Sequence, residues 1–493
     1  MSKPVKIFEI KMDDWLKGLS RQTEIAIGGI FSSMTNFDPF EIAGVMRTPL
    51  QSTLASDTAV TNTPTIITPV TISGVSYLFV HTQNKLYQVL DGTPWTTTDK
   101  TASVVVTNGV RGAIVYQGRY VYTLAGSVRS NAMALNDDKE IYNGANSDGI
   151  WHPMCVGADK KLYVGDRNGI NVITNANGTS GNSGNAVTLE SNMTVRDILN
   201  DGRYLVLLAD NNDTGDYNFA GTSPTVPLPI DGKYRCQVLF WDMVKSTFDQ
   251  IYEFEDSYLV GGKILEGGIH IFGGDNIYVC NIATAPQAIF NFRSPSPITK
   301  KPRNPFQITR AKHSIYWCGV TGGGKIYAYG SLFPGMTKIF YQPFSGQDDA
   351  SCIVFNGSKF YTGSSASGQF LQISDTGSER IGGSVLTAPI YLDRPYKFHH
   401  IKVLLQTPMV SGDSVDAYMF SRDLSSDITA SNTKSFTSEG AKQVLIFEKN
   451  PSANTVDIFE DFQLNLSVDG TTVPVVAKVE VWGIPQDNYS QEL

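Results

Sequence analysis

The feature that most constrains this chain is a short strand hairpin that recurs along most of its length. Its first clear copy is residues 76–91, where Tyr77, Phe79 and His81 alternate with aliphatic residues. A polar break then separates this run from a second alternating one. Alternation of aromatic and β-branched residues around a turn predicts two paired strands.

The copies share a basic or polar residue, then an aliphatic or aromatic residue, then usually a tyrosine. They are Lys85-Leu86-Tyr87, Arg119-Tyr120-Val121-Tyr122, Lys161-Leu162-Tyr163, Arg203-Tyr204-Leu205, Asn276-Ile277-Tyr278, Lys325-Ile326-Tyr327 and Lys359-Phe360-Tyr361. Neighbouring copies are 34 to 49 residues apart, except for one gap of 73. We interpret that gap as two repeats, with a weak copy at 238–241 that includes Phe240.

A strand-rich unit of about 40 residues is the size of one four-stranded propeller blade. The sequence therefore predicts an all-β chain with an irregular β-propeller of seven to eight blade-like units over residues 51–378. A plain multi-sheet β-protein is the alternative. Residues 51–72 predict an extended strand that could complete the last blade and close the ring. Two insertions, 175–185 and 210–231, predict long exposed loops.

Residues 1–50 break the repeat and predict an N-terminal extended arm. Pro39 and Pro49 exclude a long regular element. Phe31, Phe37 and Phe40 have little polar cover, so the arm must pack against its own propeller or against a neighbouring subunit. These three residues are the candidates for an oligomer interface.

From residue 379 the blade motif stops. Five or six strands follow in 379–493, and they predict a C-terminal β-sandwich.

The composition argues against several classes of function. The net charge is −8 and the isoelectric point is about 5.3, which is unlike the basic surface that binds nucleic acid by phosphate neutralisation. The five cysteines are scattered, without CxxC or Cys/His spacing for a metal, as in proteins made in a reducing cytoplasm. No signal peptide and no membrane span is predicted.

The motifs that resemble chemical sites each fail a requirement. Residues 319–325 have P-loop spacing, but Ile326 replaces the required Ser or Thr and a strand follows instead of a helix. The acidic run 210–216 lacks the bidentate Glu of an EF-hand. His399 and His400 are expected on opposite faces of a strand, so they should not share a metal. We therefore predict no enzyme activity, no catalytic or metal residue and no cofactor.

The whole outline resembles the hub or nozzle proteins that close the tails of short-tailed bacteriophages. The resemblance lies in the apolar arm at 36–40 and in the blade strands 161–165 and 359–362, and it covers most of the chain as an architecture. It implies a structural virion protein: a homo-oligomeric ring, possibly a hexamer, that forms the DNA exit channel. Its implied partners are portal or adaptor proteins, tail fibres and the passing genomic DNA, which it does not bind specifically.

The resemblance also implies a place in the virion tail after synthesis in the host cytoplasm. Two other functions are left open by the residues. A receptor- or glycan-binding tail protein would expose aromatic residues on one propeller face, with Trp95 and Trp151 as candidates. A propeller hydrolase would need a convergent acid pair, which the sequence does not offer.

Overall fold

The computed structural model describes a chain that is almost entirely β. The described residues are 3–19, 31–40, 44–48, 52–54, 60, 62–91, 96–106, 109–145, 150–212, 232–292, 301–318, 325–345, 350–357, 359–364, 370–373, 380–421, 427–429, 433–448, 458–470 and 472–486. Within them, seven four-stranded antiparallel sheets follow one another, and a nine-stranded sheet stands beside them.

Each four-stranded sheet is one blade, and its strands are given in order from the first, innermost strand. Blade 1 contains β4 (Pro64–Ile72), β5 (Val75–Thr82), β6 (Leu86–Leu90) and β7 (Thr97–Asp99). Blade 2 contains β8 (Gly112–Tyr116), β9 (Arg119–Leu124), β10 (Ser127–Ala132) and β11 (Lys139–Tyr142). Blade 3 contains β12 (Met154–Val156), β13 (Leu162–Asp166), β14 (Gly169–Ile173) and β15 (Ser183–Thr188).

The remaining blades follow the same plan. Blade 4 contains β16 (Thr194–Asn200), β17 (Leu205–Asp210), β18 (Cys236–Trp241) and β19 (Gln250–Phe254). Blade 5 contains β20 (Leu259–Leu265), β21 (Gly268–Gly273), β22 (Asn276–Asn281) and β23 (Thr284–Asn291). Blade 6 contains β24 (Ile308–Ala311), β25 (Ser314–Cys318), β26 (Lys325–Gly330) and β27 (Ile339–Ser345). Blade 7 contains β28 (Ala350–Asn356), β29 (Lys359–Ser364), β30 (Phe370–Ile373) and β3 (Ser52–Leu54).

The blades close into a ring. The first strand of each blade contacts the first strand of the next, and β28 of blade 7 contacts β4 of blade 1. The outermost strand of blade 7 is β3, which arrives from the N-terminal side of the chain and pairs with β30. The predicted all-β propeller is therefore confirmed. Strand β3, which comes from the segment 51–72 that was predicted to be extended, completes the last blade.

The recurrent tyrosines have a common structural role that the sequence did not reveal. Four of them are mostly or fully buried in their blades and donate their hydroxyls to an aspartate. The pairs are Tyr122 with Asp138 at 2.6 Å, Tyr163 with Asp159 at 2.7 Å, Tyr278 with Asp256 at 2.9 Å and Tyr361 with Asp91 at 2.6 Å. A buried tyrosine needs such an acceptor for its hydroxyl, so the motif couples apolar packing to a fixed polar contact.

The repeat count needs one correction. Leu205 and Phe240, which were predicted to centre two blades, lie on neighbouring strands of blade 4, where Val206 pairs with Phe240. The gap of 73 residues is therefore one blade with a long insertion between β17 and β18. The tyrosine motif also varies in position. It lies on the second strand of blades 2, 3, 4 and 7 but on the third strand of blades 1, 5 and 6.

The turns follow from the residues that occupy them. Gln117 and Gly118 connect β8 to β9, and both have positive φ (49° and 69°), as a type I′ hairpin turn requires. The predicted hairpin at 76–91 is confirmed as β5 and β6, with Val80 opposite Tyr87.

The nine-stranded sheet is a curled sheet formed by both ends of the chain. Its strands are β1 (Val5–Ile10), β2 (Phe31–Thr35), β31 (Gly383–Thr387), β32 (Ile390–Leu405), β33 (Ser414–Phe420), β34 (Thr433–Ser435), β35 (Val444–Glu448), β36 (Ile458–Asp469) and β37 (Val476–Pro485). Its described helices are α1 (Met12–Trp15) and α2 (Phe436–Glu439), and two 3-10 turns, Thr101–Ser103 and Pro305–Gln307, belong to the propeller. The predicted sandwich of 379–493 is thus one continuous sheet, since β36 pairs with both β32 and β33.

The described residues between 3 and 48 pack against the rest of the chain and do not form a separate arm. The edge strand β1 pairs with β37, and β2 pairs with β31, so both belong to the curled sheet. The same segment also reaches the propeller, where the Leu19 and Phe37 amides donate to the Phe340 and Gln342 carbonyls at 2.8 and 3.0 Å. Those carbonyls belong to β27, the outer strand of blade 6.

One hydrophobic core joins the two parts. It contains Phe272 of blade 5, Trp317 of blade 6, Ile353 of blade 7 and residues such as Ile401 and Val479 of the curled sheet. Because this core is continuous, the curled sheet is fixed against the rim of the propeller.

Candidate functional site

The axis of the propeller contains a cavity to which every blade contributes. Its volume is about 240 Å³. The lining residues are Ile67, Gly112, Ala113, Pro153, Met154, Asp197, Lys263, Pro305, Phe306, Ile308, Thr309, Ile353 and Val354. Most of them lie on the first, innermost strands of their blades. We call this cavity the axial chamber.

The 3-10 turn Pro305–Gln307 forms one wall of the axial chamber. It packs against β20, β28 and β4, on three different blades. The Asn304 side chain caps it by accepting the Phe306 amide at 3.0 Å. Phe306 in turn meets Trp151 edge to face, with ring centroids 5.1 Å apart. This turn is therefore held by a cap and an aromatic contact.

The lining contains two charged side chains, Asp197 on β16 and Lys263 on β20. The Asp197 carboxylate accepts the Ile198 and Gly262 amides, each at 2.9 Å. The Lys263 ammonium lies 3.8 Å from the nearer carboxylate oxygen, which is longer than a hydrogen bond. Asp197 is therefore fixed by the backbone, whereas Lys263 is held near it by charge alone.

Blade 5 packs so closely against Asp197 and Pro305 that position 261 requires glycine. A Cβ on Gly261 would lie 3.0 Å from an Asp197 carboxylate oxygen and 3.1 Å from the Pro305 side chain. Gly261 thus lets blade 5 approach both the acid and the wall of the chamber. No local sequence pattern predicts this, because the three contacting segments are far apart in the chain.

Burial dominates the acid-base chemistry around the chamber. It raises the pKa of Asp197, although Lys263 and the two backbone amides act in the opposite direction. It also raises the pKa of the neighbouring Cys155 thiol to about 12, so this thiol is protonated at neutral pH. A protonated thiol is a poor nucleophile, and the single acid and single base do not form the carboxylate pair of a glycosidase.

Phe31, Phe37 and Phe40 lie within the chain's own core, which corrects their assignment to an oligomer interface. Phe31 and Phe37 are fully buried. Trp15 stacks on Phe31 with centroids 5.6 Å apart and meets Phe37 edge to face at 5.9 Å. Phe40 is partly buried and packs on Tyr341 at 5.1 Å. The surface that they could offer a neighbour is already covered by residues of the same chain.

The other residues that the sequence analysis named as possible binding or catalytic residues can also be assessed. Trp151 is buried against Phe306, so it is not an exposed aromatic platform, and Trp95 lies outside the described residues. The region 319–324 also lies outside them, but Lys325 begins strand β26, not a helix. Asp210 is buried and accepts hydrogen bonds from Arg196 at 2.8 Å and the Leu259 amide at 2.7 Å, so its carboxylate is occupied within the fold.

His399 and His400 were expected on opposite faces, and the structure corrects this. The register of β32 against β37 shifts between Phe398 and His400. This irregularity brings the two Nδ1 atoms to 2.6 Å, and His400 stacks on Trp482. Even so, the described residues contain no group of three or more His, Cys, Asp or Glu side chains that could hold a metal ion.

A second surface feature lies on three neighbouring blades. Each exposes apolar residues in the loop between its third and fourth strands. They are Val244 of blade 4 (86% exposed), Ile282 of blade 5 (36%), and Phe333 and Met336 of blade 6 (59% and 46%). In a propeller, the connections between the third and fourth strands of successive blades lie on the same side of the ring. We call these three loops the apolar loops.

Contacts between blades support this placement of the apolar loops. Lys338, in the blade 6 loop, pairs at 2.7 Å with Glu266, which lies in the blade 5 turn between the first and second strands. The Tyr252 hydroxyl of blade 4 donates to the Ile282 carbonyl of blade 5 at 2.9 Å. The apolar loops of blades 5 and 6 are therefore each tied to the preceding blade. In the described part of the chain, no helix is long and apolar enough to cross a bilayer.

Comparison with known proteins reveals similarity of fold. No known protein-family profile matches the chain, and no curated protein matches its sequence. A virginiamycin B lyase structure from Staphylococcus aureus is 16% identical, over 66% of this chain and 98% of its own, with a TM-score of 0.42. BamB from Moraxella catarrhalis is 10% identical, over 75% of this chain and 99% of its own, with a TM-score of 0.37.

A third solved structure, the Dos1 propeller, is 10% identical over 66% of this chain and 94% of its own, with a TM-score of 0.39. At these identities and scores, no activity of the three proteins is transferred to this chain.

Proposed function

We propose that this chain is a non-enzymatic structural subunit of a bacteriophage tail, where copies of it form a ring around the DNA exit channel and carry the fibres. The observation that carries the proposal is the set of apolar loops on blades 4 to 6. Val244 and Phe333 are 86% and 59% exposed, and apolar side chains grouped on one side of a protein mark a contact surface more often than scattered ones do.

The joined architecture supports the same function. The shared core and the two backbone hydrogen bonds to β27 hold the propeller against the curled sheet. A subunit of a ring under load from a passing genome benefits from such stiffness, because relative domain motion would change the channel. The net charge of −8 also suits a channel in which DNA must slide without being gripped.

Under this proposal the protein is made in the host cytoplasm and resides in the virion tail. Its partners are further copies of itself, a portal or adaptor protein and tail fibres. A standard protein interface buries about 1,600 Å² in total. Because Phe31 and Phe37 are unavailable, the apolar loops replace them as the surface that supplies the apolar centre of such an interface.

The test is the oligomeric state of the purified full-length chain, measured by mass photometry with and without tail particles. We expect a discrete ring, and we expect the double variant Phe333→Ser/Met336→Ser to shift the population towards the monomer. Met12→Ser is the matched control, because Met12 is 65% exposed but lies outside the apolar loops.

Two results would contradict the proposal. A chain that stays monomeric even with tail particles has no ring-forming role. A double variant that assembles like the wild type would show that the apolar loops are not the interface. Circular dichroism of each variant verifies that the fold is retained.

A further inference from the structure

We propose that the axial chamber binds a small molecule that has an apolar body and one carboxylate, and that the Lys263 ammonium binds this carboxylate. The inference concerns the propeller axis and does not depend on ring formation.

The apolar part of the lining defines the body of the ligand. Ile67, Met154, Phe306 and Ile353 come from four separate segments and converge on the same space. Burying apolar ligand surface there is favourable by about 25 cal/mol per Å². The volume of about 240 Å³ is below the range of about 300–1,000 Å³ for pockets that hold drug-sized ligands, so the ligand is small.

The polar part of the lining defines the charged group. A lysine ammonium has three donors. Within the described residues, the Lys263 ammonium donates no hydrogen bond, and its nearest carboxylate oxygen is 3.8 Å away. Its side chain is 26% exposed, so an acceptor can reach it. A ligand carboxylate would complete its hydrogen bonding in a largely apolar site, where a charge-assisted bond is strong.

Asp197 restricts the ligand further. Each of its oxygens already accepts one backbone amide, and a ligand cation bound there would lie next to the like charge of Lys263. It also lies close enough to Lys263 to reduce the net positive charge of the site. A group with one negative charge is therefore favoured over a doubly charged phosphate.

The test uses three probes that share one alkyl chain: octanoate, octanol and octylamine. Each is titrated into the purified full-length protein by isothermal titration calorimetry. We expect saturable binding of octanoate and no binding of octylamine, with octanol bound more weakly than octanoate. Lys263→Met should weaken octanoate binding about tenfold, which corresponds to the loss of about 1.4 kcal/mol.

Lys245→Met is the matched control variant. Lys245 is 57% exposed on a blade 4 loop, away from the axial chamber, and pairs with Asp242 and Asp249. We expect this variant to bind octanoate like the wild type. A thermal melt without ligand verifies that Lys263→Met is folded, and Lys263→Gln serves in its place if it is not.

Three outcomes would overturn the proposal: failure of octanoate to bind the wild type at millimolar concentration, equal binding of octylamine, or unchanged binding by the folded Lys263 variant. Mass photometry of the same Lys263 variant measures ring assembly independently of ligand binding. A failure of this proposal can therefore be distinguished from a failure of the proposed ring. We expect the assembly of the Lys263 variant to match that of the wild type.

Discussion

His81 is buried at the boundary between blades 1 and 2. Its Nε2 atom lies 2.7 Å from the Tyr120 hydroxyl, and the two rings stack with centroids 5.8 Å apart. Desolvation lowers the pKa of His81 from 6.5 to about 3, although a backbone hydrogen bond at Lys85 acts in the opposite direction. The imidazole is therefore neutral in the folded protein at neutral pH.

This burial predicts an acid-sensitive fold. The pKa of His81 is lower in the folded state than in the unfolded state. The stabilisation that neutral His81 contributes to the free energy of unfolding is therefore fully present above pH 6.5 and is lost as the pH falls towards 3. Each pH unit in this window removes about 1.4 kcal/mol from the free energy of unfolding. We expect His81→Gln to flatten the pH dependence of the free energy of unfolding, measured by urea titrations between pH 6.5 and 4. An unchanged slope in His81→Gln would contradict this assignment.

At the scale of elements, Asp91 connects the first and last blades. It follows β6 of blade 1 and accepts hydrogen bonds from Tyr361 at 2.6 Å and from the Asn356 side chain at 3.0 Å, both on blade 7. Lys359 of blade 7 lies 3.6 Å away. Asp91 therefore acts together with β3 at the closing point of the ring.

We expect Asp91→Ala to lower the free energy of unfolding by about 1–3 kcal/mol, because the Tyr361 hydroxyl would lose its acceptor while partly buried. The measurement is chemical denaturation at neutral pH. Asp137→Ala is the comparison, since Asp137 forms exposed ion pairs with Arg119 and Lys139 and its loss should change little. Equal effects of the two substitutions would show that Asp91 does not hold the ring closed.

At the scale of the whole molecule, residues 1–50 unite the propeller and the curled sheet. Trp15 is fully buried and donates its indole N–H to the Ala477 carbonyl of the sheet at 3.0 Å. Leu19 and Phe37 hydrogen-bond to blade 6. The segment therefore contributes to both parts at once, and the common core follows from it.

A common core predicts cooperative unfolding. We expect scanning calorimetry of the full-length chain to show one transition, in which the propeller and the curled sheet melt together. Deletion of residues 1–50 should lower the transition temperature and separate the two parts, because it removes β1, β2 and the contacts with β27. Two separate transitions in the intact chain, or an unchanged melt after the deletion, would contradict this prediction.

The sequence by itself determined the strand content, the blade period and the turns, because these depend on neighbouring residues. The alternation in 76–91 and the turn at Gln117 and Gly118 need only local backbone preferences. The same local information suggested eight copies, since it could not show that Leu205 and Phe240 lie on adjacent strands of one sheet, with a long insertion between those strands.

Only the tertiary structure showed which residues cover Phe31 and Phe37, where Lys263 lies and which aspartates accept the tyrosine hydroxyls. Phe31 pairs with Thr387, and Lys263 meets Asp197 across two blades. Apolar composition showed that the phenylalanines must be covered, but it could not show by what. Such contacts join segments far apart in the chain, so they are fixed by the closure of the ring and by the return of the C-terminal strands to β1 and β2.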